Sequence, residues 1–215
     1  MNTKITTNVK PADLPYDHYS KERYDDEIEK AIPGYDELHN KIAKVIKNRF
    51  NNHKQIRVLD LGCGTGKTSV LIRNMFPDTK LTLVDFSEQM LNGAKYKFGN
   101  TANYIHGDYS KANLGGPYDL IISVIGLHHQ NHDGKRLMFQ RAYEALVPGG
   151  MFVLGDLMTY EDVEDAAENH ALHFHHMVEN ANGKRRLLRE WAHHHLHLND
   201  LAPATIQTKW MRETG

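Results

Sequence analysis

The chain has 215 residues, 40% hydrophobic and 25% charged, which is enough apolar material for one domain with a real core and excludes a disordered chain. The formal net charge of −1 excludes a global electrostatic attraction to nucleic acid or to a membrane surface, so neither is expected as a partner. One cysteine cannot form an internal disulfide, no apolar run approaches the length of a membrane span, and the polar start lacks a signal-peptide core; a cytoplasmic protein is expected.

Residues 1–15 have no apolar period and carry two prolines, which predicts a loose arm. Tyr16 to Lys30 reads as a short helix bearing Tyr16, Tyr19 and Tyr24. Ile32-Pro33-Gly34-Tyr35 is a break, after which Asp36 is placed to cap a helix over 36–50 with Leu38, Ile42, Val45 and Ile46 on one face. From residue 55 strands and helices alternate. Strands are predicted at Ile56–Leu61, Lys80–Asp85, Asn103–His106, Tyr118–Ile125 and Met151–Asp156, and helices at Lys67–Phe76, after Ser87, and at His132–Leu146. Ser87 caps the middle helix, whose inner face carries Met90, Leu91, Ala94 and Phe98. Tyr118–Ile125 is nearly all apolar, as a central parallel strand covered on both faces must be. This alternation predicts an α/β fold with a doubly wound, mostly parallel sheet. Beyond Asp156 the pattern is helical only, with helices from Glu161 to about Glu179, Lys184 to about Leu198, and Pro203 to Met211.

Val58-Leu59-Asp60-Leu61-Gly62-Cys63-Gly64-Thr65-Gly66-Lys67-Thr68 carries the chemistry. A strand running into glycines and then a helix brings free N–H groups to a ligand. A phosphate-binding P-loop needs a glycine five positions before Gly66, and that position is Leu61. A dinucleotide fingerprint needs its third glycine one residue later than Gly66. S-adenosylmethionine (SAM) has no pyrophosphate, and the Asp-x-Gly-x-Gly-x-Gly spacing suits a turn passing close to its methionine and ribose portions.

On these residues the chain resembles the class I, Rossmann-like SAM-dependent methyltransferases, over residues 16–156. Leu83-Val84-Asp85-Phe86-Ser87, Gly107-Asp108-Tyr109, Tyr118-Asp119-Leu120-Ile121-Ile122-Ser123 and Leu146-Val147-Pro148-Gly149-Gly150 are similar to the family's later motifs, in its order. The resemblance implies SAM as cofactor, with Asp85 on both ribose hydroxyls and Asp108 and Tyr109 at the adenine. It also assigns Gly62, Gly64 and Gly66 to the turn, with Phe86, Met90 and Val124 beside the cofactor. Met90 serves both core and adenine. Asp60 either braces the turn or contacts the cofactor, and Cys63 fills a crowded loop rather than acting as a thiol.

Methyl transfer from a sulfonium is an in-line displacement needing a base only when the acceptor must lose a proton. His128 and His129 follow the fourth strand, at the edge where such sheets bind ligands, and either is a candidate base or a structural residue. Ile32-Pro33-Gly34-Tyr35 resembles a segment of small-molecule methyltransferases and carboxy-SAM synthase, which implies that Tyr35, with Tyr24, approaches the cofactor. His175-His176 to Ala181-Asn182-Gly183 also resembles carboxy-SAM synthase, but His193 stands at the place of that enzyme's Arg and Val124 at that of its Asn. The expected activity is methyl transfer to a small-molecule acceptor. A carboxy-SAM synthase-like enzyme and a non-catalytic SAM-binding module are the alternatives.

His170, His173 and His176, and His193 with His197, have helical spacings that read as a polar lid, and no metal site is expected. The expected organisation is an N-terminal arm and helices over the cofactor site (1–50), a SAM-binding core (51–156) and a helical acceptor region (157–215). The family usually adds two more strands, which the chain ending at Gly215 does not show. Strand five is then an edge, and cover by a helix or pairing in a homodimer is expected.

Overall fold

The structure is a computed structural model that describes Asp13, Leu14, Tyr16 and residues 21–215. Most of the predicted arm and Tyr19 lie outside the described residues.

Two helices come first, α1 (Lys21–Ala31) and α2 (Tyr35–Phe50). The sheet follows with its crossing helices: β1 (Arg57–Leu61), α3 (Lys67–Met75), β2 (Lys80–Asp85), α4 (Glu88–Phe98), β3 (Ala102–His106), β4 (Tyr118–Val124), α5 (His132–Ala145) and β5 (Leu146–Gly155). Then come α6 (Val163–Asn180), α7 (Arg185–His197) and α8 (Ala204–Thr214). The strands run parallel in the order β3-β2-β1-β4-β5, a doubly wound sheet whose strand order reverses between β1 and β4. No further strand follows among the described residues, so β5 is one edge.

Period-two alternation divides the core between the two faces of the sheet. Val58, Leu81, Leu83, Leu120 and Ile122 face α2, α3 and α4 through Ile42, Ile46, Ile72, Leu91, Ala94 and Phe98. Leu59, Leu61, Val84 and Ile121 face α5 through Met138, Phe139 and Ala142. Trp210 and Met211 of α8 pack against this second cluster, where α8 lies mainly against α5. A third cluster joins Ile32 and Tyr35 to Met177, Ala181 and Trp191, tying α6 and α7 to the N-terminal helices.

Several local expectations are corrected. Helix α2 begins at Tyr35, after Gly34 in the left-handed conformation, and has no side-chain cap. Asp36 therefore lies inside the first turn, where it pairs with Lys67 at 2.8 Å. Val45 is 51% exposed; the buried stripe is Tyr35, His39, Ile42, Ile46 and Phe50. Strand β5 starts at Leu146, ahead of the Pro-Gly-Gly turn, and absorbs that turn as a register shift against β4. Ser87 caps α4 as expected, accepting from the Met90 N–H.

All three glycines of the turn after β1 have positive φ. At Gly66 (φ +85°) a Cβ would also lie 2.8 Å from the Phe98 ring. Gly66 thus lets α3 and α4 close together. Gly66→Ala is expected to cost about 2–3 kcal/mol, combining left-handed strain with overpacking. Urea denaturation measures it, and Phe98→Leu in the same chain should recover only the packing part.

Candidate cofactor and acceptor cavities

The turn after β1 is held open by Asp85, the last residue of β2. Its Oδ2 accepts the Gly64 N–H at 2.8 Å and its Oδ1 the Ser87 N–H at 2.9 Å, so one buried carboxylate joins the glycine turn to the start of α4. A carboxylate oxygen can accept more than one hydrogen bond, so these backbone bonds do not bar Asp85 from a ligand. Helix α1 closes over the same turn: Thr65 Oγ1 donates to Asp25 at 2.5 Å, Lys97 pairs with Asp25 at 3.1 Å, and Lys67 pairs with Glu29 and Asp36.

Two cavities lie at the carboxyl ends of the strands, with empty volumes of about 580 and 670 Å³ when the solvent at their mouths is included. The first is walled by Leu14, Tyr16, Tyr24, Gly62, Gly64, Asp85, Phe86, Met90, Asp108, Tyr109, Gly126, His129 and Gln130. The second is walled by Glu27, Ile28, His128, Leu157, His173, Met177, Glu190, Trp191, His194, His195 and Asn199. Tyr16, Tyr24 and Ile125 line both. Ile125 has φ +53°, an outlier for a β-branched residue and the kind of strain that gathers at functional sites.

The first cavity gathers Tyr24, Gly62, Gly64, Asp85, Phe86, Met90, Asp108, Tyr109 and His129 from the sequence reading. The Tyr109 hydroxyl donates to the Gly126 carbonyl at 3.0 Å, and burial pushes its phenol up. Burial also pushes the Asp108 carboxyl up, but hydrogen bonds from Ser110 and Lys111 outweigh it and hold the group below its ordinary value.

Tyr35, Asp60, Cys63 and Val124 do not line this cavity; they wall a smaller recess behind the turn, next to Gly62 and Gly64. Gly66 lines none of these spaces, and its role is the packing against Phe98. Asp60 is 2% exposed and accepts from Ser69 Oγ at 2.6 Å, which makes it a brace between β1 and α3. The buried Cys63 thiol is pushed up by desolvation, so it is not a nucleophile.

His128 and His129 form a short turn nailed down on several sides. Asp156 Oδ2 accepts the His128 N–H at 2.9 Å and its Oδ1 binds His128 Nδ1 at 2.5 Å. His129 Nδ1 donates to the Leu198 carbonyl at 2.8 Å, leaving Nε2 to accept from the Tyr16 hydroxyl at 3.0 Å. Lys135, 1% exposed, donates to the carbonyls of Gln130 and Asp200 and locks this turn to the segment after α7. Burial, then neighbouring histidines, lowers His129 well below the imidazole range and His194 to about 3, so both rings are neutral at physiological pH.

The sequence reading missed Tyr16 as a wall residue, Asp156 as the partner of His128, and His194. The last two are fixed by chain crossings that no local pattern records. His193, singled out by position, is exposed and lines neither cavity, whereas its neighbour His194 faces the second. Among the described residues no helix is long and apolar enough to cross a membrane.

Residues 58–150 match the family described as a methyltransferase domain. The chain is 30% identical over 150 residues to carboxy-S-adenosyl-L-methionine synthase of Campylobacter concisus, covering 68% of this chain and 63% of that protein. It is 37% identical over 99 residues to malonyl-[acyl-carrier protein] O-methyltransferase 1 of Ilyobacter polytropus, covering 45% of this chain and 36% of that one. Among solved structures, a candidate O-methyltransferase of Nostoc punctiforme superposes over 100% of this chain and 58% of its own with a TM-score of 0.66 at 15% identity, a likeness of fold. The chain thus spans less than two thirds of the length of the first of these relatives.

Burial pushes the Asp60 carboxyl from 3.8 up to about 7, with the Ser69 hydroxyl opposing and Asp85 adding to the rise. A folded-state value above the unfolded one gives stability that is complete below about pH 4 and is lost as pH rises through about 7. Asp60→Asn should remove this decline. Relative to the parent, its urea unfolding free energy should improve between pH 5 and pH 8 by on the order of a few kcal/mol.

Proposed function

We propose that this chain, a member of the class I SAM-dependent methyltransferases, binds SAM in the first cavity and transfers its methyl group to a small polar acceptor in the second. One observation carries the reading. The two cavities meet at Tyr16, Tyr24 and Ile125, one with a ribose-type carboxylate and the other with polar atoms that lack partners.

The first cavity fits SAM by its chemistry. Asp85 offers lone pairs to a diol, Asp108 offers an acceptor to an exocyclic amine, and Phe86, Met90 and Tyr109 supply apolar and aromatic surface for a base. When bound, SAM supplies the electrophilic methyl group. The protein's part is to hold donor and acceptor in line and to keep water away. Leu14, Tyr16 and, from α1, Tyr24 cover this cavity, and α1, α6 and α7 together supply most of the second.

In the second cavity Glu27 Oε2, His195 Nδ1 and Asn199 Oδ1 are buried without hydrogen-bond partners. Buried polar atoms left unpaired are costly, so the acceptor is a molecule bearing N–H or O–H donors that satisfies them. Of the two histidines, His128 is the better base for such a group. It lines the acceptor cavity, and Asp156 fixes its Nδ1 and would steady an imidazolium. His129 is locked at both ring nitrogens and acts as a positioning residue.

The relatives named carboxy-SAM synthase favour a second reading in which the chain carboxylates the cofactor. Among the described residues neither cavity wall contains an Arg or Lys to pair with an added carboxylate, which supports methyl transfer instead.

Asp85→Ala should weaken SAM binding tenfold or more by calorimetry, because it strips acceptors from both the ribose and the Gly64 turn. Unchanged affinity would remove Asp85 from the site. Incubation with labelled SAM and pooled small amines and alcohols should give a methylated product, and His128→Asn should lower its rate. A cofactor made heavier by a carboxyl group would instead support the second reading, and tight SAM binding with no transfer would support a binding module.

A further inference from the structure

His128, His129 and His194 converge from two elements on the wall between the cavities, and one ring nitrogen from each lies within 4.8 Å of the others. We propose that these three histidines bind a divalent transition-metal ion of the zinc type. The proposal stands on this cluster alone and does not depend on SAM being the cofactor.

The arrangement has the parts a metal site needs. Asp156 holds Nδ1 of His128 and the Leu198 carbonyl holds Nδ1 of His129, so in the neutral rings both lone pairs sit on Nε2. A carboxylate or carbonyl behind a ligating histidine is the usual outer partner that fixes tautomer and orientation. The backbone under the two rings is anchored as well, since the Asp200 N–H donates to the His128 carbonyl at 2.7 Å. His194 approaches from α7, with its ring centroid 5.0 Å from that of His129. Three imidazoles without thiolate suit zinc, nickel, copper or iron rather than calcium or magnesium.

Tetrahedral coordination with Zn–N bonds near 2.0 Å sets the ligand nitrogens about 3.3 Å apart, so side-chain rotation of His194 would have to draw the cluster inward. The Tyr16 hydroxyl now holds His129 Nε2 and must release it. Lys135 is the nearby cation that opposes a metal, and Asp156 and Asp200 offset it. The remaining open side adjoins both cavities, where an acceptor oxygen or nitrogen could complete the coordination. A metal would use the same Nε2 lone pair that a base needs, so His128 acts as a base only in the metal-free protein.

Metal-free protein titrated with Zn²⁺ in equilibrium dialysis, without SAM, tests this. One ion should bind per folded chain at micromolar concentration or below, and Co²⁺ in its place should give visible bands. His194→Ala should weaken binding tenfold or more with the far-ultraviolet spectrum unchanged; should it not fold, His194→Gln is the readout. His193→Ala/His197→Ala, which alters the exposed histidines of α7, should leave binding intact. Absence of saturable binding by the folded parent overturns the proposal. So does unchanged affinity in the folded His194 variant, or loss of the bound ion in the His193/His197 variant.

Discussion

The site depends first on the bond between Asp85 and the backbone of the glycine turn. A parallel sheet brings the ends of β1 and β2 side by side, so the turns that follow them both come within reach of Asp85. Asp85 accepts the N–H of Gly64 and that of Ser87, so the turn and the start of α4 share a single acceptor. The same carboxylate faces the first cavity. One group therefore holds the turn, the start of α4 and part of the cavity wall together.

Around that point the molecule is built in shells. The sheet and its crossing helices form two apolar clusters, joined by Ile42 and Ile46 of α2 on one face and by Trp210 and Met211 of α8 on the other. The N-terminal helices, α6 and α7 then enclose the carboxyl edge through a third, smaller cluster and through polar ties such as Thr65 to Asp25. Exposed ion pairs such as Lys67 with Glu29 contribute little stability, so the enclosure rests mainly on Ile32, Tyr35, Met177 and Trp191. A cover held by a small core can open to exchange ligands while the sheet stays folded.

The turn after β4 is where these shells meet. Asp156 from the end of β5, Lys135 from α5 and Leu198 after α7 all fix His128 and His129. So many restraints on two adjacent residues, beside a strained Ile125, point to placement for chemistry more than for stability. That placement also brings His194 within reach of both.

Short-range periodicity, and side chains that bond a few residues away, are enough to specify the doubly wound sheet, the strand cores and the cap at Ser87. The sequence also places the glycine turn and Asp85, since a loop that approaches a ligand leaves its spacing in the chain. Asp36 failed as a cap because the left-handed Gly34 starts the helix one residue earlier, a backbone choice open to glycine alone. The glycine spacing puts Gly66 in the turn but does not record that Phe98 lies against it. That Tyr16, Asp156 and His194 join His128 and His129 is visible only in the folded chain, because those contacts close long loops, and the chemistry of a side chain does not record what distant residue packs against it.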